Sequence, residues 1–415
     1  MRKLNVLIAG STGYIGVQLI KLLVKHKNIN IKYLCGNSSV GKKISFYDKS
    51  LNFKKLPKII RYDKKYLLYL FLIILPIFIS LSLNNDFQQH FGYSKLVFVI
   101  TLTSLIPLLM SFNDFTKYYI KWMVVLSTFS LFFYSILLLF PSIASSFPMI
   151  HGYSETNEYN NLWVYAYKIS ESKLYRNSSI FWEAGAFQVC LNLALIFEFQ
   201  KNQFKNLKRV VLFITCIITT FSTVGFINLS IIIIAQLTKH TSAIRQFNGS
   251  NKNKKLFGLS IFIATMIGLA FFSNTLGKVY IDKFSIENYS FFARGVGTLV
   301  DLEIFTSAPL VGVGKSGYST MVPSIAYNNF SVEMGGSTNA FTKTLAIYGI
   351  IFILPILIFY FKSTIIMTNK KFDRFLYFLI IIIFFMTQDF IFSMLWLSTG
   401  FFGLQFHCHR KRIFK

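Results

Sequence analysis

Arg176, Glu183 and Arg294 are the side chains whose type and placement best suit chemistry in this 415-residue chain. Arginines are few here and lysine supplies most of the positive charge. Arg176 and Arg294 stand in two long segments between apolar runs, each near the edge of its segment. An arginine offers a fixed fork of donors and a charge it does not lose, which suits a pyrophosphate. The plainer reading is that both are interfacial anchors whose heads reach water. Glu183 falls near the start of an apolar run, where a helix N-terminus favours an ionised carboxylate and Ser178 or Ser179 can cap the helix. It reads either as a general base or as an ordinary interfacial acid, and it can share a cavity with Arg176 if that helix starts early.

A second candidate chemistry lies in the turn Gly10-Ser11-Thr12-Gly13-Tyr14-Ile15-Gly16. Asn5 to Gly10 reads as a buried strand, Val17 to Lys25 as a helix and Asn30 to Cys35 as a second strand, one βαβ unit. Such a turn places a helix N-terminus where a phosphate can sit, with Gly10, Thr12, Gly13, Gly16 and Ser38 as its candidate residues. No acid closes the second strand. Ser38, Ser39, Lys42 and Lys43 follow it, a pattern suited to the 2′-phosphate of NADP.

The elements that must position these groups divide the chain near Lys65. Residues 1–65 read as an incomplete Rossmann-like α/β segment and residues 66–415 as a multi-span membrane domain. Hydrophobic residues make up 53% of the chain and charged residues 14%, against roughly 25% charged in soluble domains. The lysines and arginines behind the net charge of +27 cluster in short gaps between apolar runs, where they anchor a protein in a lipid bilayer rather than bind nucleic acid. Cys35, Cys190, Cys216 and Cys408 have no CxxC spacing and read as free thiols. The apolar run Val6 to Gly10 is too short for a signal peptide, so an insertion signal is expected internally.

The apolar runs are Tyr66 to Leu83, Leu96 to Phe112, Trp122 to Phe140, Ile180 to Phe199, Val210 to Gln236, Leu256 to Ser273, Phe341 to Phe361 and Phe375 to Phe406. As one helix, Val210 to Gln236 would be about 40 Å long against a hydrocarbon core near 30 Å. Basic residues flank it on both sides, so an even number of crossings lies between them and the run is expected to turn near Ser222 to Gly225. The last run divides likewise around Gln388 and Asp389. The expectation is a mainly α protein of about ten transmembrane helices with both termini cytoplasmic. Its large outer loops are 141–179 and 274–340, and such loops tend to carry function. Dispersed acids and isolated His90 and His151 suggest no metal cage. Gly312 to Gly317 reads as a backbone cradle for phosphate or as a plain loop turn.

Arg176 followed by Phe181-Trp182-Glu183-Ala184-Gly185-Ala186-Phe187-Gln188 resembles the outer-loop motif of bacterial O-antigen and capsule polysaccharide polymerases, in which Pro usually stands where Ala184 does. A second block resembles the large outer loop and following span of the O-antigen polymerase and ligase superfamily. It comprises Arg294, Pro309-Leu310-Val311-Gly312-Val313-Gly314, Gly317, Tyr318, Ser337-Thr338-Asn339-Ala340-Phe341 and Gly349. Ligases typically carry His where Thr338 stands, which favours the polymerase. Together the two blocks cover roughly residues 176–350; the flanking spans match in hydropathy and number alone.

The resemblance implies a membrane glycosyltransferase of the bacterial inner membrane. Its substrates would be undecaprenyl-diphosphate-linked oligosaccharides, joined on the outer face without a cofactor, and a chain-length regulator is a candidate partner. Arg176 and Arg294 would stabilise the diphosphate leaving group, and Glu183 would act as base or orient an arginine. The alternatives are a ligase of the same superfamily or a lipid-linked sugar transporter, but a transporter would keep its charges along a central cavity.

Lys3 to Ile59 is similar to the start of N-acetyl-gamma-glutamyl-phosphate reductase. The similarity rests on residues 10–16 and on Asn37-Ser38-Ser39-Val40-Gly41-Lys42-Lys43-Ile44-Ser45. That family's catalytic Cys and His lie well downstream, with no matching position before the apolar runs begin. The resemblance therefore implies cofactor binding at most, and no reductase activity.

Overall fold

A computed structural model describes residues 4–36, 42–52, 56–57, 59–60, 64–151, 158–161, 165–168, 176–181, 183–202, 206–244, 289–368 and 371–413. The chain opens with β1 (Leu4–Ala9), α1 (Tyr14–Val24), β2 (Ile29–Cys35) and a two-residue β3 (Ile59–Ile60). The three strands are parallel in the order β1-β2-β3, with Ile8 beside Leu34 and Leu34 beside Ile59. Ile8, Ile20, Ile31, Leu34 and Ile59 form a small core beneath α1. About 60 residues bury little surface, so such a unit is marginal alone.

The described residues after Lys64 are mostly helical. The helices are α2 (Lys64–Leu83), α3 (His90–Leu109), α4 (Phe112–Leu139), α5 (Ala184–Asn202), α6 (Leu207–Thr219) and α7 (Thr223–Ile244). They continue with α8 (Tyr289–Ser307), α9 (Gly314–Phe330), α10 (Ala340–Ser363), α11 (Lys371–Thr387) and α12 (Met394–Ile413). Three helical stretches among the described residues, Phe87–Leu109, Phe112–Leu139 and Ala340–Ile366, are long and apolar enough to cross a membrane. The apolar run Leu256 to Ser273 lies outside the described residues.

The two over-long runs are both divided. Val210 to Gln236 breaks between Thr219 and Thr223, and the final run breaks between Thr387 and Met394. Segment 141–179 contains a small antiparallel sheet of β4 (Met149–His151), β5 (Glu158–Asn161) and β6 (Ala166–Lys168). Within segment 274–340 the described residues, 289–340, hold α8 and α9. Val296, Val300 and Ile304 repeat every four residues on α8 and are buried, the spacing of a helix face turned to a core.

One core joins the helices, and α10 is at its centre, packed against α2, α8, α9, α11 and α12. This helix is broken. Gly349 has φ 70° and ψ −177°, a region essentially closed to residues with a β-carbon. The backbone of Pro309 to Val313 fills the break. Ile350 N donates to Pro309 O at 2.9 Å, Ile351 N to Leu310 O at 3.1 Å, and Val313 N to Ala346 O at 3.0 Å. Irregular backbone inside an apolar core is tolerated where protein satisfies its polar groups, as it does here.

Candidate functional site

Glu183 immediately precedes α5. Its carbonyl oxygen accepts from Ala186 N at 3.1 Å and Phe187 N at 3.3 Å, so the helix does not begin at Ser178 or Ser179. Tertiary structure takes those serines instead. Ser178 Oγ donates to Ala166 O at the start of β6 at 2.6 Å, and Ser179 has a left-handed φ of 52°. Residues 176–181 are therefore irregular, and Arg176 is not two helical turns from Glu183.

Arg176 is held at the break between α6 and α7, where its Nε donates to Thr220 O at 3.0 Å. Neighbouring Asn177 fastens the segment further. Its Nδ2 donates to Ser130 Oγ at 3.2 Å and to Thr219 Oγ1 at 3.0 Å, tying α4 to the end of α6. Arg176 itself is exposed.

The half-buried Glu183 carboxylate accepts a hydrogen bond from Gln388 Nε2 in the turn after α11. The adjacent Asp389 pairs with Lys343 Nζ on the first turn of α10 at 3.2 Å. Next to Lys343, Thr342 Oγ1 donates to Asp301 Oδ2 on α8 at 2.6 Å. α8 also carries Arg294, exposed near its start. The structure thus links Glu183 to the helix of Arg294 through Gln388, Asp389, Lys343 and Thr342. Beyond the break that holds Arg176, Gly225 of α7 faces Gln188 of α5.

Asp301 organises the second block. It is fully buried, and it accepts from Tyr318 OH at 2.7 Å as well as from Thr342. Tyr318 OH accepts in turn from Ser337 N at 3.2 Å, Ser337 Oγ from Asn339 N at 3.0 Å, and Asn339 Oδ1 caps α10 through Thr342 N at 3.2 Å. Asn339 Nδ2 closes the ring on Thr298 Oγ1, one turn after Arg294, at 3.2 Å. Burial raises the Asp301 carboxyl above its ordinary range, and the hydrogen bonds from Thr342 and Tyr318 only partly offset that rise.

A second buried carboxylate was not among the sequence candidates. Asp86, in the turn between α2 and α3, accepts from Tyr93 OH at 2.7 Å, from Lys315 N at 2.6 Å and from Ser316 N and Oγ. It caps α9 from 229 residues away. Burial pushes its carboxyl up, but the bonds from Ser316, Tyr93 and the two amides outweigh burial and hold it below the ordinary value. These contacts correct the phosphate-cradle reading of Gly312 to Gly317. Gly312 N donates to Ala308 O, Val313 N to Ala346 O, and the Lys315 and Ser316 amides to Asp86, so these four amides are already used within the protein.

In the N-terminal unit, Gly10, Thr12, Gly13 and Gly16 form the β1–α1 turn. Ser11 Oγ and N both donate to Cys35 O, at 3.0 and 2.9 Å, fixing the turn to the end of β2. A β-carbon on Gly16 would overlap the Gly10 carbonyl, so only glycine lets the helix start this close to the strand. Gly13 is the cap residue of α1 and no side chain caps that helix. Ser38 lies outside the described residues.

The family described as "Semialdehyde dehydrogenase, NAD binding domain" matches residues 5–67. N-acetyl-gamma-glutamyl-phosphate reductase of Ehrlichia chaffeensis is 46% identical over 43 residues, 10% of this chain and 12% of that protein. The enzyme of the same name from Gloeothece citriformis is 55% identical over 38 residues, 9% of this chain and 11% of the relative. The chain thus matches about an eighth of the length of these relatives. No solved structure matches it.

Proposed function

We propose that residues 66–415 form a membrane glycosyltransferase that polymerises undecaprenyl-diphosphate-linked oligosaccharides on the outer face of a bacterial inner membrane. In this reading the chain crosses the membrane about ten times with both termini cytoplasmic. The observation that carries it is the linkage of Glu183, through Gln388, Asp389, Lys343 and Thr342, to the helix that bears Arg294. Segments more than 100 residues apart in sequence thereby converge on one end of the helical core.

A sugar hydroxyl of one lipid-linked oligosaccharide attacks the anomeric carbon of another. The hydroxyl loses its proton to Glu183, the new glycosidic bond forms, and the bond to the lipid diphosphate breaks. Arg176 and Arg294 supply fixed positive charge to that leaving group. Gln388 keeps the Glu183 carboxylate oriented, as a general base requires.

The test is Arg176→Ala and Arg294→Ala in a strain whose surface polymer depends on this chain. Each variant should stay in the membrane, by immunoblot, and lose the polymer ladder on a gel. A normal ladder from both sinks the mechanism.

A separate reading applies to the N-terminal unit. The uncapped α1 N-terminus and the match to an NAD-binding domain support binding of a dinucleotide phosphate there, with Lys42 and Lys43 favouring NADP. Enhanced NADPH fluorescence on adding the full chain tests it, and a flat titration removes it.

A further inference from the structure

The second half of α9 and the chain that follows it enclose a groove of about 520 Å³, lined by Pro323, Tyr327, Glu333, Met334 and Gly335. The sequence builds it locally. Ser331 takes a left-handed conformation with φ 54° and ends the helix. Ser331 N then donates to Tyr327 O at 2.9 Å and Val332 N to Ala326 O at 3.2 Å, folding residues 331–335 back along the last turns. Asn329 Nδ2 donates to both oxygens of Glu303 on α8, at 3.0 and 2.8 Å, which ties this end of α9 to α8.

We infer that this groove is a saccharide subsite, in which the growing glycan stacks on Tyr327 and gives hydroxyl hydrogen bonds to Glu333. Tyr327 is 65% exposed, far more than a tyrosine held for packing, and it lines the groove. Such a face suits the C–H faces of a sugar ring, and an ionised carboxylate accepts hydrogen bonds from neutral hydroxyls. The lining contains an acid and no cation, which disfavours a lipid phosphate. A β-carbon on Gly335 or Gly336 would meet nothing within 4 Å, leaving room for a bulky occupant. The cation Lys315 lies at the other end of α9, and Ser316 and Tyr327 are roughly 16 Å apart along the helix axis at 1.5 Å per residue. At that far end Lys315 stands beside the Asp86 carboxylate, and the groove end of α9 is left as a surface for neutral sugar. The assignment rests on the polymerase reading and specifies where its product is held.

The test reads the modal repeat number of the polymer ladder from the full chain at matched protein amounts in the membrane. Tyr327→Leu keeps an apolar side chain and removes the ring; it and Glu333→Gln should each shorten the mode about threefold, the scale of one aromatic contact. Tyr327→Phe should keep the wild-type ladder. A wild-type ladder from Tyr327→Leu overturns the subsite and makes Tyr327 an interfacial anchor. Loss of the wild-type mode in Tyr327→Phe overturns stacking as its role. If the polymer survives both Arg176→Ala and Arg294→Ala, the polymerase reading fails instead and the sugar assignment goes with it.

Discussion

In the N-terminal unit the polar groups that matter are backbone amides at one turn, whereas in the helical part they are side chains buried between helices far apart in sequence. The first arrangement needs only a glycine pattern, and the Gly10 to Gly16 turn supplies it within seven residues. The second needs Asp86 to meet Ser316 and Asp301 to meet Thr342, 230 and 41 residues away. The comparison teaches that a local sequence pattern is recognised far more readily than a polar network assembled across a fold. Residues 5–67 match a known domain, whereas Glu183, Asp86 and Asp301 find partners that no local pattern announces.

The strongest way to break this contrast is to ask whether either region needs the other. Arg294→Ala should reduce polymer by about a hundredfold or more, the cost of removing an oriented donor from a developing charge. Gly16→Val, which blocks the β1–α1 turn, should leave the ladder unchanged. A ladder lost in Gly16→Val would join the two regions functionally and end the contrast.

The next effect is on stability. Gly349→Ala should destabilise the helical part by about 3 kcal/mol or more, since it combines backbone strain with loss of the bonds from Pro309 and Leu310. Thermal unfolding in detergent measures it. A change near zero would mean that the break in α10 is not fixed by the loop.

The two buried carboxylates sharpen the picture through opposite pH slopes. Asp86 is lowered in the folded protein, so its contribution is present above the ordinary carboxyl value and is lost as pH falls through its folded value. Asp301 is raised, so stability is fullest below the ordinary value and declines as pH rises through its folded value. Asp86→Asn should flatten the acid-side loss in a plot of thermal midpoint against pH, and Asp301→Asn the decline above it. A common slope for both variants contradicts the assignment.

The smallest expected effect is NADPH binding by the full chain, weak and stronger than that of NADH, with Gly16→Val removing it. NADPH should not alter the polymer ladder. Equal response to NADH would place no weight on Lys42 and Lys43.

Local signals in the sequence carried part of this architecture. Basic residues on both flanks of Val210 to Gln236 required a division there, and the chain does break at Thr220 to Ser222. Gly10 to Gly16 disclosed the β1–α1 turn because glycine is the direct requirement of the close approach. The start of α5 was not legible, because Ser178 is a good cap by type and is diverted by Ala166 O. α8 was overlooked within segment 274–340 although Val296, Val300 and Ile304 mark its face. Asp86 gave no signal, since the helix it caps, at Lys315 and Ser316, lies 229 and 230 residues away.

The broken helix α10 has a consequence for how the protein is made. Ile350 and Ile351 find their acceptors on Pro309 and Leu310, not within α10, so this helix cannot be released into lipid as a finished rod without exposing two bare amides. Pro309 to Val313 leave the ribosome before it. Synthesis therefore presents the clasp before the strut, and insertion of α10 becomes a joining step between two parts of the nascent chain.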